Sequence, residues 1–128
     1  MNIEHVGIQV SDPSAMAEWY VRNLGFSVKR SSDDPVPVRF ICDGSGRVML
    51  EVYKNPKVGV PDYPAMDPLT LHIAYCCENV PRVFEKLIKA GATQVSAPEN
   101  IPSGDQIAML RDPWGLVIQL CRRKNPMV

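Results

Sequence analysis

The stretch Ile3-Glu4-His5-Val6-Gly7-Ile8-Gln9-Val10 places Val6, Ile8 and Val10 two residues apart. Side chains of an extended chain point alternately to opposite faces, so this is a strand with one apolar face and with His5 and Gln9 on the other. Asp12 and Pro13 follow, an N-cap and a first helical residue whose missing N–H has no partner to lose there. Met16, Trp19, Tyr20, Asn23 and Leu24 then recur at helical spacing, and Gly25 stops the run. Three strands are expected next, at 26–30, 38–42 and 47–53, the last two joined by a turn at Asp43-Gly44-Ser45-Gly46.

The same order returns in the second half. Leu71, Ile73 and Tyr75 alternate along a strand at 69–76. Asn79 and Pro81 open a helix with the apolar stripe Val83, Phe84, Leu87 and Ile88, and Gly91 ends it. Strands follow at 92–96, 106–111 and 116–122, with Asp112-Pro113-Trp114-Gly115 as the last turn. His5 precedes Glu51 by 46 residues (51 − 5), and His72 precedes Gln119 by 47 (119 − 72). A repeated β-α-β-β-β order implies an α+β fold of two curved mixed sheets, each covered on one side by its helix. The expected layout is one domain over 1–128, with module 1 at about 1–53, a Pro-rich linker at about 54–68 and module 2 at about 69–123. A linker of that length is expected to lie across the surface or to reach a partner subunit.

Strand parity also sorts the polar residues. His5 and Glu51 in module 1, and His72 and Gln119 in module 2, fall opposite the apolar faces. They sit on the first and last strands of each module, and His5 and His72 are the only histidines. Two imidazoles, one carboxylate and one amide oxygen are a borderline donor set for a single Zn, Ni, Co, Mn or Fe ion. Solvated strand residues are the competing reading, because a strand histidine is more often structural and an inward Gln needs no metal. Arg39, Arg47 and Arg111 are cations on strands that could take an anionic group, or simply be solvated. Cys76 shares the parity of His72 and reads as a buried inert thiol.

Composition narrows the function classes. The chain of 128 residues is 45% hydrophobic and 22% charged, with 14 basic and 14 acidic residues. Zero net charge disfavours nucleic acid or an anionic membrane as partner. No apolar run reaches the roughly 20 residues of a membrane span. No secretory segment opens the chain, so a cytoplasmic location is expected. Three of the four cysteines lie in apolar runs and no C-x-x-C occurs, so all are read as reduced and none as zinc ligands.

The stretches Ile3–Val10, Trp19-Tyr20-Val21-Arg22-Asn23-Leu24-Gly25-Phe26, Val48-Met49-Leu50-Glu51-Val52, Leu71-His72-Ile73-Ala74 and Asp112–Leu120 together resemble the vicinal oxygen chelate superfamily of glyoxalase I, bleomycin-resistance proteins and extradiol dioxygenases. The resemblance spans nearly the whole chain and implies paired βαβββ modules curled around a metal-bearing cleft, the glyoxalase/bleomycin resistance/dioxygenase fold. It implies His5, Glu51, His72 and Gln119 as ligands of one divalent ion, and Glu51 as the catalytic base. It also implies a homodimer, with the site built within one chain or between two. The spacing is most like that of glyoxalase I, a lyase that isomerises the hemithioacetal of a 2-oxoaldehyde and a thiol. One position departs: the last ligand is usually Glu and here it is Gln119, which can ligate through oxygen but cannot accept a proton. That departure keeps a metal-free small-molecule binding or resistance module as the alternative. It also counts against an extradiol dioxygenase, whose Fe²⁺ needs a carboxylate at that position.

Overall fold

A computed structural model describes residues 2–127. They fall into two compact units, one ending at Pro61 and one beginning at Asp62, and each is described by itself. In the first unit β1 (His5–Gln9), α1 (Pro13–Leu24), β2 (Ser27–Ser32), β3 (Val38–Cys42) and β4 (Met49–Tyr53) form a sheet in the order β1-β4-β3-β2. In the second, β5 (His72–Cys76), α2 (Val80–Lys89), β6 (Thr93–Asn100), β7 (Gln106–Arg111) and β8 (Val117–Arg122) form a sheet in the order β5-β8-β7-β6. The β1–β4 and β5–β8 pairs are parallel and the other pairs antiparallel, so both sheets are mixed and each unit is one βαβββ module.

The helices start and stop where local chemistry requires. The Asp12 carboxylate accepts the Ala15 N–H at 2.9 Å, and the Asn79 side-chain oxygen accepts the Arg82 N–H at 3.0 Å. Gly25 ends α1 at φ 74°, a left-handed turn open to glycine without a Cβ penalty. Met16, Ala17 and Tyr20 bury one face of α1, and Val80, Phe84 and Leu87 bury one face of α2. Opposite them lie Ile41, Leu50 and Val52 in the first sheet and Ala108, Leu110, Ile118 and Leu120 in the second, all buried.

The expected apolar faces are covered only in part. α1 packs on β2, β3 and β4, and α2 on β6, β7 and β8. β1 and β5 are the edge strands of their sheets, next to β4 and β8. Val6 is left 47% exposed, Leu71 lies outside β5 at 41%, and Ile88 at the end of α2 is also exposed. Gln9, expected on the polar face, is buried instead. Its Nε2 donates to the carbonyls of Asn55 and Val58 at 2.7 and 2.9 Å, and its Oε1 accepts the Asn55 N–H at 2.8 Å. A buried amide with every strong bond made is a clamp.

That clamp and a second one divide the Pro-rich segment. Residues after β4 are held by Gln9. Residues from Asp62 onward are held by Arg111, whose guanidinium donates to the carbonyls of Tyr63 at 2.8 Å, Met66 at 2.7 Å and Gly115 at 3.0 Å. Tyr63–Ala65 forms a 3₁₀ turn capped by Asp62. Arg111 is thus a structural residue and not an anion receptor. Arg39 is another, bonded to the carbonyls of Ser32 and Val38 and to the Asp33 carboxylate. The segment after β8 is tied by Asp105, which accepts from the Lys124 N–H and from Arg123. The Lys124 N–H first, and the Arg123 guanidinium with it, hold the Asp105 carboxyl below the usual carboxylate range. This tether is complete at neutral pH and is lost as pH falls through that lowered value.

Gly115 has φ +89°, and a Cβ there would sit 2.5 Å from Pro64 Cδ and 2.6 Å from its backbone nitrogen. Gly115→Ala is expected to lose about 2–4 kcal/mol of stability, from the left-handed backbone and the overlap together. Gly44→Ala, with open space around the new methyl, is expected to stay within about 0.5 kcal/mol of the parent. Urea unfolding of both variants checks the pair.

Candidate metal centre

Each sheet has one face toward its helix and one away from it, and the four sequence-derived donors lie on the latter. In the first unit Gly7 pairs with Glu51, so Glu51 stands opposite the residue two beyond His5. In the second Ala74 pairs with Gln119, so Gln119 stands opposite the residue two beyond His72. The repeat seen as spacing is therefore repeated as register: both units hold a histidine and an oxygen donor as diagonal neighbours across a parallel strand pair.

His5 and Glu51 are in reach of a common ion. His5 Nε2 lies 3.5 Å from Glu51 Oε2, with the Glu51 side chain 27% exposed. Two ligands about 2.1 Å from one ion at a tetrahedral angle would be about 3.4 Å apart, so the pair fits as half of a coordination shell. Gly7 makes room for it. A Cβ at that position would lie 3.3 Å from both Glu51 Oε2 and Tyr53 Cε1. Phe40, which pairs with Glu51 across β3 and β4, sets its ring edge-on to His5 at 5.5 Å and 87°. Neither Gly7 nor Phe40 was identified from sequence, although the parity of β3 places Phe40 beside Glu51.

The outer nitrogens of both imidazoles are engaged as a metal ligand requires. His5 Nδ1 donates to Glu4 Oε2 at 2.5 Å, and His72 Nδ1 donates to the Pro68 carbonyl at 3.2 Å. Carbonyl and carboxylate oxygens accept, so both contacts engage Nδ1, and in His5 it is Nε2 that faces the Glu51 carboxylate. An oxygen behind a ligating histidine is the usual support for such a site. His72 is exposed and Gln119 half-buried. Among the described residues, no three His, Cys, Asp or Glu side chains are grouped so as to hold an ion. The donors thus come as two pairs, one in each unit.

Cys76 departs from expectation. It is exposed, while its register partner Cys121 is buried. Burial, with the hydrogen bond to Cys76 adding to it, pushes the Cys121 thiol up to about 11. Arg47 is exposed, Tyr53 packs beside Gly7, and the Trp114 N–H donates to Asp112 within the last turn.

Comparison with known proteins gives the following. A model of the glyoxalase/bleomycin resistance protein/dioxygenase superfamily matches residues 2–120. Glyoxalase I from Zea mays superposes with a TM-score of 0.78 at 22% identity, over 97% of this chain and 45% of that one. The chain therefore spans less than half of the maize protein. A glyoxalase-related enzyme from Fulvimarina pelagi superposes with a TM-score of 0.74 at 16% identity, over 96% and 88% of the two chains. An antibiotic-binding protein from Streptomyces sp. CB03234 does so with a TM-score of 0.72 at 19% identity, over 97% of both. No curated protein matches the sequence. No helix among the described residues is long and apolar enough to cross a membrane.

Removing the support behind one imidazole is the direct test of its orientation. Glu4→Ala is expected to weaken binding of Zn²⁺ or Ni²⁺ about 10–100-fold with little change in unfolding temperature. Competition against a chelator of known affinity measures it, and unchanged affinity would show that Glu4 does not orient His5.

Proposed function

Since the chain belongs to the glyoxalase/bleomycin resistance protein/dioxygenase superfamily, we propose that it is a divalent-metal-dependent lyase or isomerase of the glyoxalase I type. Its substrate would be a small molecule with two adjacent oxygens, such as the hemithioacetal of a 2-oxoaldehyde and a thiol. The observation that carries this reading is the matched pair of diagonal donors, each histidine held by its Nδ1 so that Nε2 is open.

His5 and Glu51, with His72 and Gln119 as the second pair, would hold one Zn, Ni, Co, Mn or Fe ion. The second pair would come from the same chain or from the other subunit of a cytoplasmic homodimer. When bound, the ion would polarise the two substrate oxygens and stabilise negative charge developing on them. Glu51 is the carboxylate in the set. It would take the proton from the carbon bearing oxygen and sulfur and return it to the neighbouring carbon, a transfer that leaves the overall composition unchanged. Gln119 cannot share that work, and its amide would serve as a neutral oxygen donor. Phe40, edge-on to His5, limits the rotation of that ring.

A second reading has its own support. Gln119 replaces an acidic ligand, and the fold is shared with an antibiotic-binding protein. On that reading the same sheet faces hold a small molecule without a metal.

Elemental analysis separates the two, first after dialysis and then after separate loading with Ni²⁺, Zn²⁺, Co²⁺, Mn²⁺ and Fe²⁺. About one retained ion per chain supports the enzyme. No retained ion under any condition favours the binding module. His72→Ala is expected to abolish retention while leaving the unfolding free energy of the metal-free protein within about 0.5 kcal/mol, since the ring is exposed. Glu51→Gln in the loaded protein is expected to lower turnover of a 2-oxoaldehyde–thiol adduct by about 100-fold or more.

A further inference from the structure

Equivalent positions of the two modules carry unlike chemistry. Four residues beyond His5 and two beyond Glu51, Gln9 pairs with Tyr53, and the Gln9 amide is consumed by Asn55 and Val58. Four residues beyond His72 and two beyond Gln119, the paired positions hold Cys76 and Cys121. The two sulfurs face each other at 3.5 Å, and both residues line a cavity of about 670 Å³. The segment after β8, tied down through Asp105, contributes Pro126 and Met127 to the same cavity.

We propose that Cys76 and Cys121 are a reversible thiol–disulfide pair, oxidised by a small hydroperoxide that reaches Cys76 from the cavity. The pair is built for closure. Neighbouring strands run about 4.8 Å apart, inside the Cα separation of roughly 4.4–6.8 Å that a disulfide spans. The Cys77 N–H donates to the Cys121 carbonyl at 2.9 Å, which holds the two strands in register just past the thiols. Cys76 and Cys77 point to opposite faces of the chain, so a bond between these neighbours would need backbone distortion that the Cys76–Cys121 bond does not.

Exposure sets the order of events. Cys76 is open to solvent and Cys121 is 2% exposed, so the oxidant meets Cys76 first. The Cys76 sulfur attacks one peroxide oxygen. An S–O bond forms, the O–O bond breaks, and the other oxygen leaves with a proton as alcohol, or as water from hydrogen peroxide. Cys121 then attacks the sulfenic sulfur. The S–S bond forms, and the hydroxyl leaves with the Cys121 proton as water. Two thiols and one hydroperoxide thus give one disulfide, one alcohol and one water, with two electrons passed from sulfur to oxygen. The inference does not depend on the metal-site reading.

The test uses the full chain, reduced and then freed of reductant, exposed to a small excess of hydrogen peroxide. It is alkylated while denatured and digested without reduction. The expected result is a fall in free thiols from four to two, one peptide pair joining Cys76 to Cys121, and full reversal by dithiothreitol. In Cys121→Ser, Cys76 is expected to remain as a sulfenic acid trapped by dimedone or to proceed to the sulfinic acid. In Cys76→Ser, the remaining thiols are expected to stay free. If either variant fails to fold, the cross-link map of the parent decides. A bond joining any other pair, oxygen added to Cys76 of the parent with no cross-link, or four thiols still free would each overturn the proposal.

Discussion

Each unit depends on a parallel pairing between strands far apart in the chain. Val6 lies beside Leu50, 44 residues on (50 − 6), and Ile73 lies beside Ile118, 45 residues on (118 − 73). A parallel pair cannot be closed by a hairpin, so a helix and two antiparallel strands occupy the interval. The helix then covers the sheet face that carries the buried aliphatic residues. The opposite face of the same two strands is left to the polar groups. A slip of one residue in either pairing would send His5 or His72 to the helix side. Core packing and the candidate site are therefore specified by the same register.

The two modules share this frame and use its outer face differently. Opposite the oxygen donor the first has Gly7 and the second Ala74. Only the glycine leaves room for both a carboxylate and a tyrosine ring against the strand. One register step further, a buried amide that organises a loop stands where the other module has two thiols. Outward polar pairs, a structural clamp and two facing thiols thus occupy corresponding positions of one repeat. What each position does follows from which neighbouring segment reaches it.

The caps at Asp12 and Asn79, the stop at Gly25 and the order of elements were legible in the sequence, because each rests on contacts within a few residues. The parity that grouped His5 with Glu51 and His72 with Gln119 was legible for the same reason. Arg39 and Arg111 were not. Both read as cations available to an anion, and both are spent on backbone carbonyls of segments that local pattern does not bring together. Gln9 and Cys76 exchanged their expected environments, the amide buried and the thiol exposed, and the segment at 55–58 that folds over Gln9 lies far from it in local sequence pattern.

The sequence by itself determined two βαβββ modules, the face on which each donor lies and the family to which they belong. Alternation along a strand and capping at a helix end are local properties of the covalent chain. Tertiary structure alone decided that each histidine and its oxygen-bearing partner stand as diagonal neighbours, that Glu4 and Pro68 contact Nδ1 of the two imidazoles, and that two cysteines 45 residues apart (121 − 76) meet at 3.5 Å. Those facts depend on the register of long-range strand pairs and on which loops fold back over them. Neither is encoded in the period of a single segment.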